Sequence, residues 1–272
     1  MFSRIQISKI ISSEVKSMAP HIIQNIAKAC NHVTAEKEKK PYTVAILLAA
    51  GKGTRMQNDQ QTKQMMKIDE IPIVVRSLLT FEACSCIDEI YIVGLKDELP
   101  IYSEYKKTYG ITKLKKAIVG GSCRAKSAEN GFFQLPKDCE YVVFHDAARC
   151  LITEKDLERV VRSGFRYGAA IAAKKATDTI KISNKDKFIE STPDRTMVWM
   201  AQTPQAFKKS VYEVALAKTD KLDESITDDA MLAEKAGFHV KLVNCESENI
   251  KITTPDDILY AEYILEKRRH KT

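Results

Sequence analysis

The sequence has no long hydrophobic run. Nowhere in its 272 residues does an apolar stretch reach the ~20 residues that a helix needs to span a bilayer. Residues 1–20 also lack the apolar centre of a secretory signal, because Glu14 and two lysines interrupt them. An integral membrane protein and a secreted protein are therefore not expected.

The residues that usually build metal centres and disulfide frameworks are few and scattered. None of the seven cysteines forms a CxxC pair, and only five histidines are present. Structural zinc sites need closely spaced groups of such ligands. We expect the cysteines to be buried or free thiols in a reducing compartment.

A dense block of one charge is missing as well. The 43 Lys and Arg residues and the 36 Asp and Glu residues give a net charge of +7, and the basic residues are spread along the chain. A nucleic-acid surface typically shows a clustered basic stripe with aromatic residues. The positive excess, which includes "KRRHK" near the C-terminus, suits small anionic ligands better than DNA, RNA or a membrane.

Strand-like and helix-like segments alternate from Thr43 onward. "TVAILLAA" is continuously apolar, as in a strand covered on both faces. Four similar segments follow it: "DEIYIVGL", "KKAIVGG", "YVVFHDAA" and "AAIAAKKA". The helical segments between them include one that starts at Pro72 and one that Thr153 caps. The alternation predicts an α/β fold with a Rossmann-like, mostly parallel sheet flanked by helices.

Two segments stand outside this alternation. In residues 1–40, isoleucines recur at helical spacing before the charged linker "TAEKEKKP", which predicts an N-terminal helical extension, with a targeting peptide as the alternative. The main domain is then expected to span residues 41–272. Residues 176–199 alternate polar and apolar side chains around "NKDK", which predicts a protruding β-hairpin arm. Because so small a hairpin is unstable alone, we expect it to join two subunits in a homodimer.

Small residues and cations gather at the predicted strand ends, where ligands bind in open α/β sheets. The loop "AAGKGTRM" lets the backbone approach a ligand and offers N–H groups to phosphate oxygens, although a tight structural turn would look similar. It matches neither GxGxxG nor the P-loop pattern. Arg55, Lys63 and Lys251 are cations that would neutralise phosphates, although a single lysine is compatible with an ordinary surface position. Asp146 would hold magnesium or a ribose hydroxyl, with a helix N-cap as the alternative.

Together these segments resemble one known family. The motifs that carry the resemblance occur in order along about residues 42–268: "LLAAGKGTRM", "KQ", "GG…R..S", "HDAAR", "TDTIK", "DR…W..QTPQAF", "ITDDA" and "NIKITTPDD". This ordered set closely resembles the 2-C-methyl-D-erythritol 4-phosphate cytidylyltransferases of the non-mevalonate isoprenoid pathway. The resemblance implies a nucleotidyltransferase that moves CMP from CTP to 2-C-methyl-D-erythritol 4-phosphate and releases pyrophosphate. The family occurs in bacteria and plastids. Because residues 1–40 show no clear transit pattern, we expect a bacterial cytoplasmic enzyme, with a plastid as the alternative.

The same resemblance implies roles for individual residues. The residues implied to contact CTP are Ala49, Ala50, Gly51, Gly53, Gly120, Gly121, Arg124, Ser127 and Asp146. The implied catalytic cations are Arg55, Lys63 and Lys251. Asp146 is also implied as the ligand of a Mg²⁺ ion bound with CTP. Thr179 and Arg195 on the arm are implied to bind the phosphate of the second substrate in the other subunit's site.

A few positions depart from the usual pattern of the family. Thr62 replaces the proline before the KQ lysine, Ser122 replaces an acidic residue after the paired glycines, and Cys150 replaces a proline after "HDAAR". None of these changes removes an expected catalytic charge.

Two other functions remain open. A ribitol-5-phosphate cytidylyltransferase shares the Gly-rich loop and "QTPQ", but "DRTMVW" and "ITDDA" favour the methylerythritol enzyme. A non-catalytic nucleotide-binding protein is the distant alternative, and it would be expected to have lost some of the cations that are present here.

Overall fold

A mixed sheet of seven strands forms the centre of the main domain. The computed structural model describes residues 40–51, 62–245 and 248–270, so nearly all of the predicted helical extension lies outside the described residues and stays a prediction. The described residues contain these strands: β1 (Thr43–Leu48), β2 (Lys67–Ile68), β3 (Ile71–Pro72), β4 (Glu89–Gly94), β5 (Leu114–Val119), β6 (Tyr141–Asp146), β7 (Ala169–Lys175), β8 (Ile182–Ser183), β9 (Ile189–Ser191), β10 (Trp199–Lys208) and β11 (Lys241–Asn244). They also contain these α-helices: α1 (Ile73–Ala83), α2 (Leu99–Thr108), α3 (Arg124–Phe132), α4 (Glu154–Tyr167), α5 (Lys209–Ala217), α6 (Asp229–Lys235) and α7 (Pro255–Arg269).

The predicted, mostly parallel arrangement is confirmed. The central strands lie in the order β11-β7-β10-β6-β1-β4-β5. β1 pairs in parallel with β4 and with β6, and the outer pairs β4–β5 and β7–β11 are also parallel. β10 runs antiparallel to both of its neighbours, β6 and β7. Every residue of β1 is buried, which explains why its sequence is apolar without alternation.

Helices cover both faces of the sheet. Alternate residues of a strand point to opposite faces, and those of β1 join different clusters of buried side chains. Ala45 and Leu47 pack with α1, α2 and α4, whereas Val44 and Ile46 pack with α3, α5 and α6. α7 packs on a smaller third cluster that includes Ile252. This layering leaves the carboxyl ends of the parallel strands as an open edge, where a ligand can bind.

The sequence pattern does not predict β10. Pro204 and the polar residues Gln202 and Thr203 interrupt its apolar residues, and proline is normally absent from central strands because it cannot donate a ladder hydrogen bond. The register of β10 against β7 shifts between Ala201 and Gln205. Pro204 therefore lies where the ladder is already interrupted, and the strand tolerates it.

The helix ends follow local capping chemistry. Thr153 caps α4 as predicted, because its Oγ1 accepts a hydrogen bond from the Asp156 N–H at 3.2 Å. The predicted start of the first helix at Pro72 is wrong by one residue, since Pro72 ends β3 and α1 begins at Ile73. No helix within the described residues is both long and apolar enough to cross a membrane.

A small hairpin lies inside the segment that was predicted to form an arm. β8 and β9 pair antiparallel, but they are short, and every one of their residues is exposed. The apolar side chains of Ile182, Phe188 and Ile189 are among the exposed ones. A contact between this hairpin and a second subunit stays a prediction.

Candidate active site

A crevice of about 420 Å³ opens at the carboxyl ends of β1 and β6, at the edge where the sequence predicts a ligand site. The predicted site residues that line it are Ala50, Gly51, Lys63, Gly121, Arg124, Ser127, Asp146 and Lys251. The lining within the described residues carries three cations and one carboxylate. This excess of positive charge favours an anionic ligand.

Gly120 and Ala50 bring two loops of the crevice into direct contact. A Cβ atom on Gly120 would lie 2.3 Å from the Cβ of Ala50, so a larger residue would push the loops apart. The Gly120 N–H donates to the Gly94 carbonyl at 2.8 Å, and the buried Ala49 N–H donates to the Val93 carbonyl at 2.7 Å. Ala49 and Gly120 therefore support the crevice from behind its lining.

Ser127, in the first turn of α3, braces the paired-glycine loop. Its Oγ accepts a hydrogen bond from the Gly121 N–H at 3.0 Å and donates to the Cys123 carbonyl at 2.9 Å. These bonds use the hydroxyl proton and one lone pair. Ser127 therefore keeps one acceptor position for a ligand.

Asp146 lies at the centre of the charges in the crevice. Arg124 Nε donates to its Oδ1 at 3.0 Å, and Lys251 Nζ donates to its Oδ2 at 2.8 Å. Burial alone would raise the pKa of Asp146, but the charges of Arg124 and Lys251 outweigh burial and hold that pKa well below its usual range. Thr153 caps the following helix, so the N-cap alternative for Asp146 is wrong.

Arg124 is also held by Asp229, an acid that the sequence reasoning did not assign to the site. Arg124 Nη1 donates to Asp229 Oδ2 at 2.8 Å, and the Tyr212 hydroxyl donates to Asp229 Oδ1 at 2.8 Å. Burial alone would lower the pKa of Arg124, but the charges of Asp229 and Asp146 outweigh burial and raise that pKa above its usual range. The guanidinium is therefore a permanent cation. The motif "ITDDA" contains two adjacent acids. Asp228 caps α6, so the second acid, Asp229, is available for another role.

Lys251 is placed by contacts between the segment before α7 and the segment after β6. The Ile252 N–H donates to the Ala148 carbonyl at 2.9 Å, and Arg149 Nη1 donates to the Asn249 carbonyl at 3.0 Å. Lys251 therefore lies beside the central carboxylate, with 38% of its side chain exposed. An ammonium group has three donors, so Lys251 can bind a ligand while it keeps this ion pair.

Lys63 lies in the single helical turn Lys63–Met65, and only 7% of it is exposed. The side chain of the next residue ties this turn to the glycine loop, because Gln64 Nε2 donates to the Gly51 carbonyl at 3.0 Å. The "KQ" pair thus combines a cation in the crevice with a neighbour that fixes the loop.

Of the remaining predicted site residues, two lie outside the described residues and two lie outside the crevice. Gly53 and Arg55 lie outside the described residues. Thr179 and Arg195 are exposed and do not line the crevice; Arg195 Nη1 donates instead to the Thr177 carbonyl at 2.8 Å. The roles expected for these four residues stay predictions.

The residue before Asp146 is not an acid–base group. His145 is fully buried, and its Nδ1 lies 3.0 Å from Thr203 Oγ1. Burial lowers the pKa of His145 to about 3, so its imidazole is neutral at pH 7. It does not line the crevice.

The basic residues near the C-terminus form ion pairs within the protein. Lys267 Nζ and Arg268 Nε donate to the Glu248 carboxylate at 2.9 and 3.2 Å, and Arg269 Nη1 donates to Asp69 at 3.2 Å. These cations have partner acids, and they do not line the crevice.

Comparison with known proteins decides the family. The sequence profile of the 2-C-methyl-D-erythritol 4-phosphate cytidylyltransferases matches residues 43–267. The chain belongs to this family. The match begins with β1 and ends within α7, so it includes every strand of the central sheet and the whole described lining of the crevice.

Individual members of the cytidylyltransferase family are similar over nearly their full length. A protein of this name from Syntrophus aciditrophicus is 42% identical over 229 residues, which cover 84% of this chain and 97% of that protein. One from Clostridium botulinum is 40% identical over 222 residues, covering 82% and 96%. The crystal structure of 4-diphosphocytidyl-2C-methyl-D-erythritol synthase from Anaerococcus prevotii is 32% identical, with a TM-score of 0.71 and coverage of 84% and 97%. The α/β nucleotidyltransferase fold expected from the sequence is confirmed.

Proposed function

We propose that this cytidylyltransferase transfers CMP from CTP to 2-C-methyl-D-erythritol 4-phosphate, giving 4-diphosphocytidyl-2-C-methyl-D-erythritol and pyrophosphate. The observation that carries the proposal is the crevice lined by Lys63, Arg124 and Lys251, of which Arg124 and Lys251 pair with the carboxylate of Asp146. Positive charge of this kind suits a triphosphate and a phosphate that must come together. The names of the relatives support the identity of the two substrates.

The reaction needs one new bond and one broken bond. An oxygen of the substrate phosphate attacks the α-phosphorus of CTP in line. The bond from the α-phosphorus to the bridging oxygen breaks, and pyrophosphate leaves with that electron pair. A phosphate monoester is already ionised near neutral pH, so no general base is needed, in agreement with the buried, neutral His145.

The protein's own contribution is positioning and charge. Two anions repel each other as they approach, and the ammonium groups of Lys63 and Lys251 would stabilise the negative charge that develops in the transition state. Arg124, which is fixed between two acids, belongs to the wall that binds CTP. Arg55 is assigned as a further cation from the sequence alone.

Asp146 fits a magnesium ion that arrives with the nucleotide. Within the described residues, no group of three or more Asp, Glu, His or Cys side chains is arranged to hold a metal. Mg²⁺ is often bound by one or two carboxylates plus substrate phosphates, and the Asp146 oxygens keep lone pairs beyond those that Arg124 and Lys251 use. When bound, Mg²⁺ would neutralise phosphate charge. Activity that needs added Mg²⁺ and disappears with excess chelator is the expected result.

The hairpin arm fits a homodimer in which each subunit completes the other's site. Ile182, Phe188 and Ile189 expose apolar surface on the arm, and such surface is often covered by a partner. Thr179 and Arg195 lie on the same segment and outside their own crevice. We assign them to the phosphate of the second substrate in the crevice of the other subunit.

Pyrophosphate release tests the reaction. Full-length protein is mixed with CTP and Mg²⁺, and with either 2-C-methyl-D-erythritol 4-phosphate, ribitol 5-phosphate or no acceptor. We expect kcat/KM for the methylerythritol substrate to be higher by at least about tenfold, because a site built around one acceptor's hydroxyls leaves polar groups unpaired with another. A higher value for ribitol 5-phosphate would favour the alternative enzyme. No release with either acceptor would favour a nucleotide-binding protein.

Subunit complementation tests the arm. The variants Lys63→Ala and Arg195→Ala should each be nearly inactive, but an equimolar, re-equilibrated mixture should recover about a quarter of wild-type activity, because half of the dimers are mixed and each mixed dimer has one intact site. Light scattering on the same samples gives the oligomeric state. A mixture that stays inactive although dimers form would show that Arg195 does not act in the other subunit. A fully active monomer would contradict the dimer.

A further inference from the structure

Three side chains outside the crevice form a chain of hydrogen bonds that ends on the residue before Lys63. Thr62 Oγ1 donates to Glu98 Oε1, and the Tyr102 hydroxyl donates to Glu98 Oε2 at 3.2 Å. Glu98 immediately precedes α2, and Tyr102 lies one turn into that helix. The chain therefore connects the turn that carries Lys63 with the helix that follows β4.

The far end of this chain is anchored in the core. Tyr102 is fully buried, and its ring packs against Gly94, the last residue of β4. A Cβ atom on Gly94 would lie 2.6 Å from the Tyr102 hydroxyl oxygen, so the two are in close contact. The Gly94 carbonyl also accepts the Gly120 N–H at 2.8 Å. Tyr102 thus holds Glu98 from a position that the sheet itself fixes.

At the near end, the Thr62 carbonyl accepts the Met65 N–H at 3.0 Å, and Glu98 holds the Thr62 side chain. Thr62 precedes the turn Lys63–Met65 with φ −69° and ψ 151°, and its side chain makes no capping bond to that turn. Within the described residues, its hydroxyl is bound by Glu98. A lysine reaches its target on a flexible four-carbon stem, so the position of its ammonium group depends on how firmly its backbone is held.

We propose that Glu98, held by Tyr102, fixes Thr62 and thereby the turn that presents Lys63, so that Glu98 and Thr62 are positioning residues for cytidylyl transfer. The inference rests on the proposed function, in which Lys63 stabilises the transition state. Misplacement of a catalytic group by an ångström can lower a rate strongly. Loss of the Thr62 hydrogen bond should therefore lower kcat without removing any charge from the crevice.

Thr62→Val removes the hydroxyl and keeps the branched shape. We expect kcat to fall about three- to tenfold, with KM for CTP changed much less, because the lost interaction acts mainly in the transition state. The decisive readout is a double-mutant cycle: in a Lys63→Ala background, Thr62→Val should lower kcat no further, since the effect passes through Lys63. An unchanged kcat for Thr62→Val, or an equal fall in both backgrounds, would overturn the inference.

Thr62→Pro provides a rescue. Proline fixes φ near −65°, which matches the −69° of Thr62, and the Thr62 N–H makes no hydrogen bond within the described part of the chain. The ring should therefore hold the backbone without help from Glu98. We expect Glu98→Ala to lower kcat in the wild-type background and to change it by less than about twofold in the Thr62→Pro background. An equal fall in both backgrounds would contradict the inference.

Thr112→Val is the matched control. Thr112 Oγ1 donates to Glu82 Oε1 at 2.5 Å, which is the same kind of bond, near the amino end of β5 and away from the crevice. It should leave kcat at the wild-type value. If the wild-type protein releases no pyrophosphate, the proposed function itself fails. If the wild type is active and Thr62→Val behaves like Thr112→Val, this inference alone fails.

Discussion

Asp146 is an unusual residue to find in a crevice suited to phosphates. A carboxylate repels a triphosphate, so its presence needs a compensating role. Its two oxygens accept hydrogen bonds from Arg124 and Lys251, and these bonds hold both cations in place before a ligand enters. Groups that are arranged in advance need no reorganisation during the reaction, which offsets the repulsion.

The ammonium group of Lys251 should contribute directly to the rate. We expect Lys251→Ala, and likewise Lys63→Ala, to lower kcat at least about tenfold, since loss of one charged donor to a transition state costs ~2–4 kcal/mol. Steady-state pyrophosphate release measures the effect, and circular dichroism checks the fold. Lys241→Ala is the control, because Lys241 is an exposed residue of β11 outside the crevice. Near wild-type turnover of the folded variants would contradict the assignment.

His145 should make stability depend on pH. Burial lowers its folded pKa to about 3 from an ordinary 6.5. Below pH 6.5 the unfolded chain therefore binds a proton that the folded protein does not, and the folded state loses about 1.4 kcal/mol per pH unit from this residue. Urea unfolding between about pH 7 and pH 4.5 should show a steeper fall for the wild type than for His145→Gln. Parallel pH profiles would contradict this expectation.

At the scale of secondary structure, the sequence pattern predicts β1, whose side chains pack against apolar neighbours, and misses β10, which contains buried polar side chains. β1 is recognisable because both of its faces pack against helices. β10 is hidden because Gln205 is buried by tertiary contacts, with its Oε1 accepting two backbone N–H groups of α6 at 3.0 Å each. No local pattern reveals such a contact.

The same limit applies to the candidate site. The strand ends that would form the crevice could be predicted, because the carboxyl ends of parallel strands meet at one edge. The pairing of Arg124 with Asp229 could not, since 105 positions separate the two residues and only the folded chain brings them together. The residue types were visible in the sequence, but their partners were not.

The Thr153 cap should stabilise α4 measurably. Thr153→Ala removes the acceptor for the Asp156 N–H, and the expected loss in the free energy of unfolding is about 1 kcal/mol. Thr80→Ala is the control: Thr80 Oγ1 donates to the Arg76 carbonyl within α1, and such a bond inside a helix adds little stability. Urea unfolding of the two variants measures both effects. Equal losses would argue against the cap.

At the scale of the whole molecule, the crevice depends on the complete main domain. Its described lining runs from Leu48 to Lys251, so no short segment could carry the activity. The family match begins at residue 43, which leaves the predicted N-terminal extension outside it.

Deletion of residues 1–39 should leave the reaction intact. We expect kcat to stay within about twofold of wild type, because substrate contacts are all assigned to the main domain. Pyrophosphate release and light scattering on the full-length and shortened chains measure activity and assembly together. A loss of either would give the extension a role in this enzyme.

The paired state of Asp146 also bears on inhibitors. A compound that aims an amine at this carboxylate would compete with Lys251 and Arg124 for its oxygens and would add positive charge to a crevice that already carries an excess of cations. A compound with acidic or strongly accepting groups would meet cations that are already aligned. Competitive inhibitors of this crevice should therefore be built as phosphate mimics rather than as basic heterocycles.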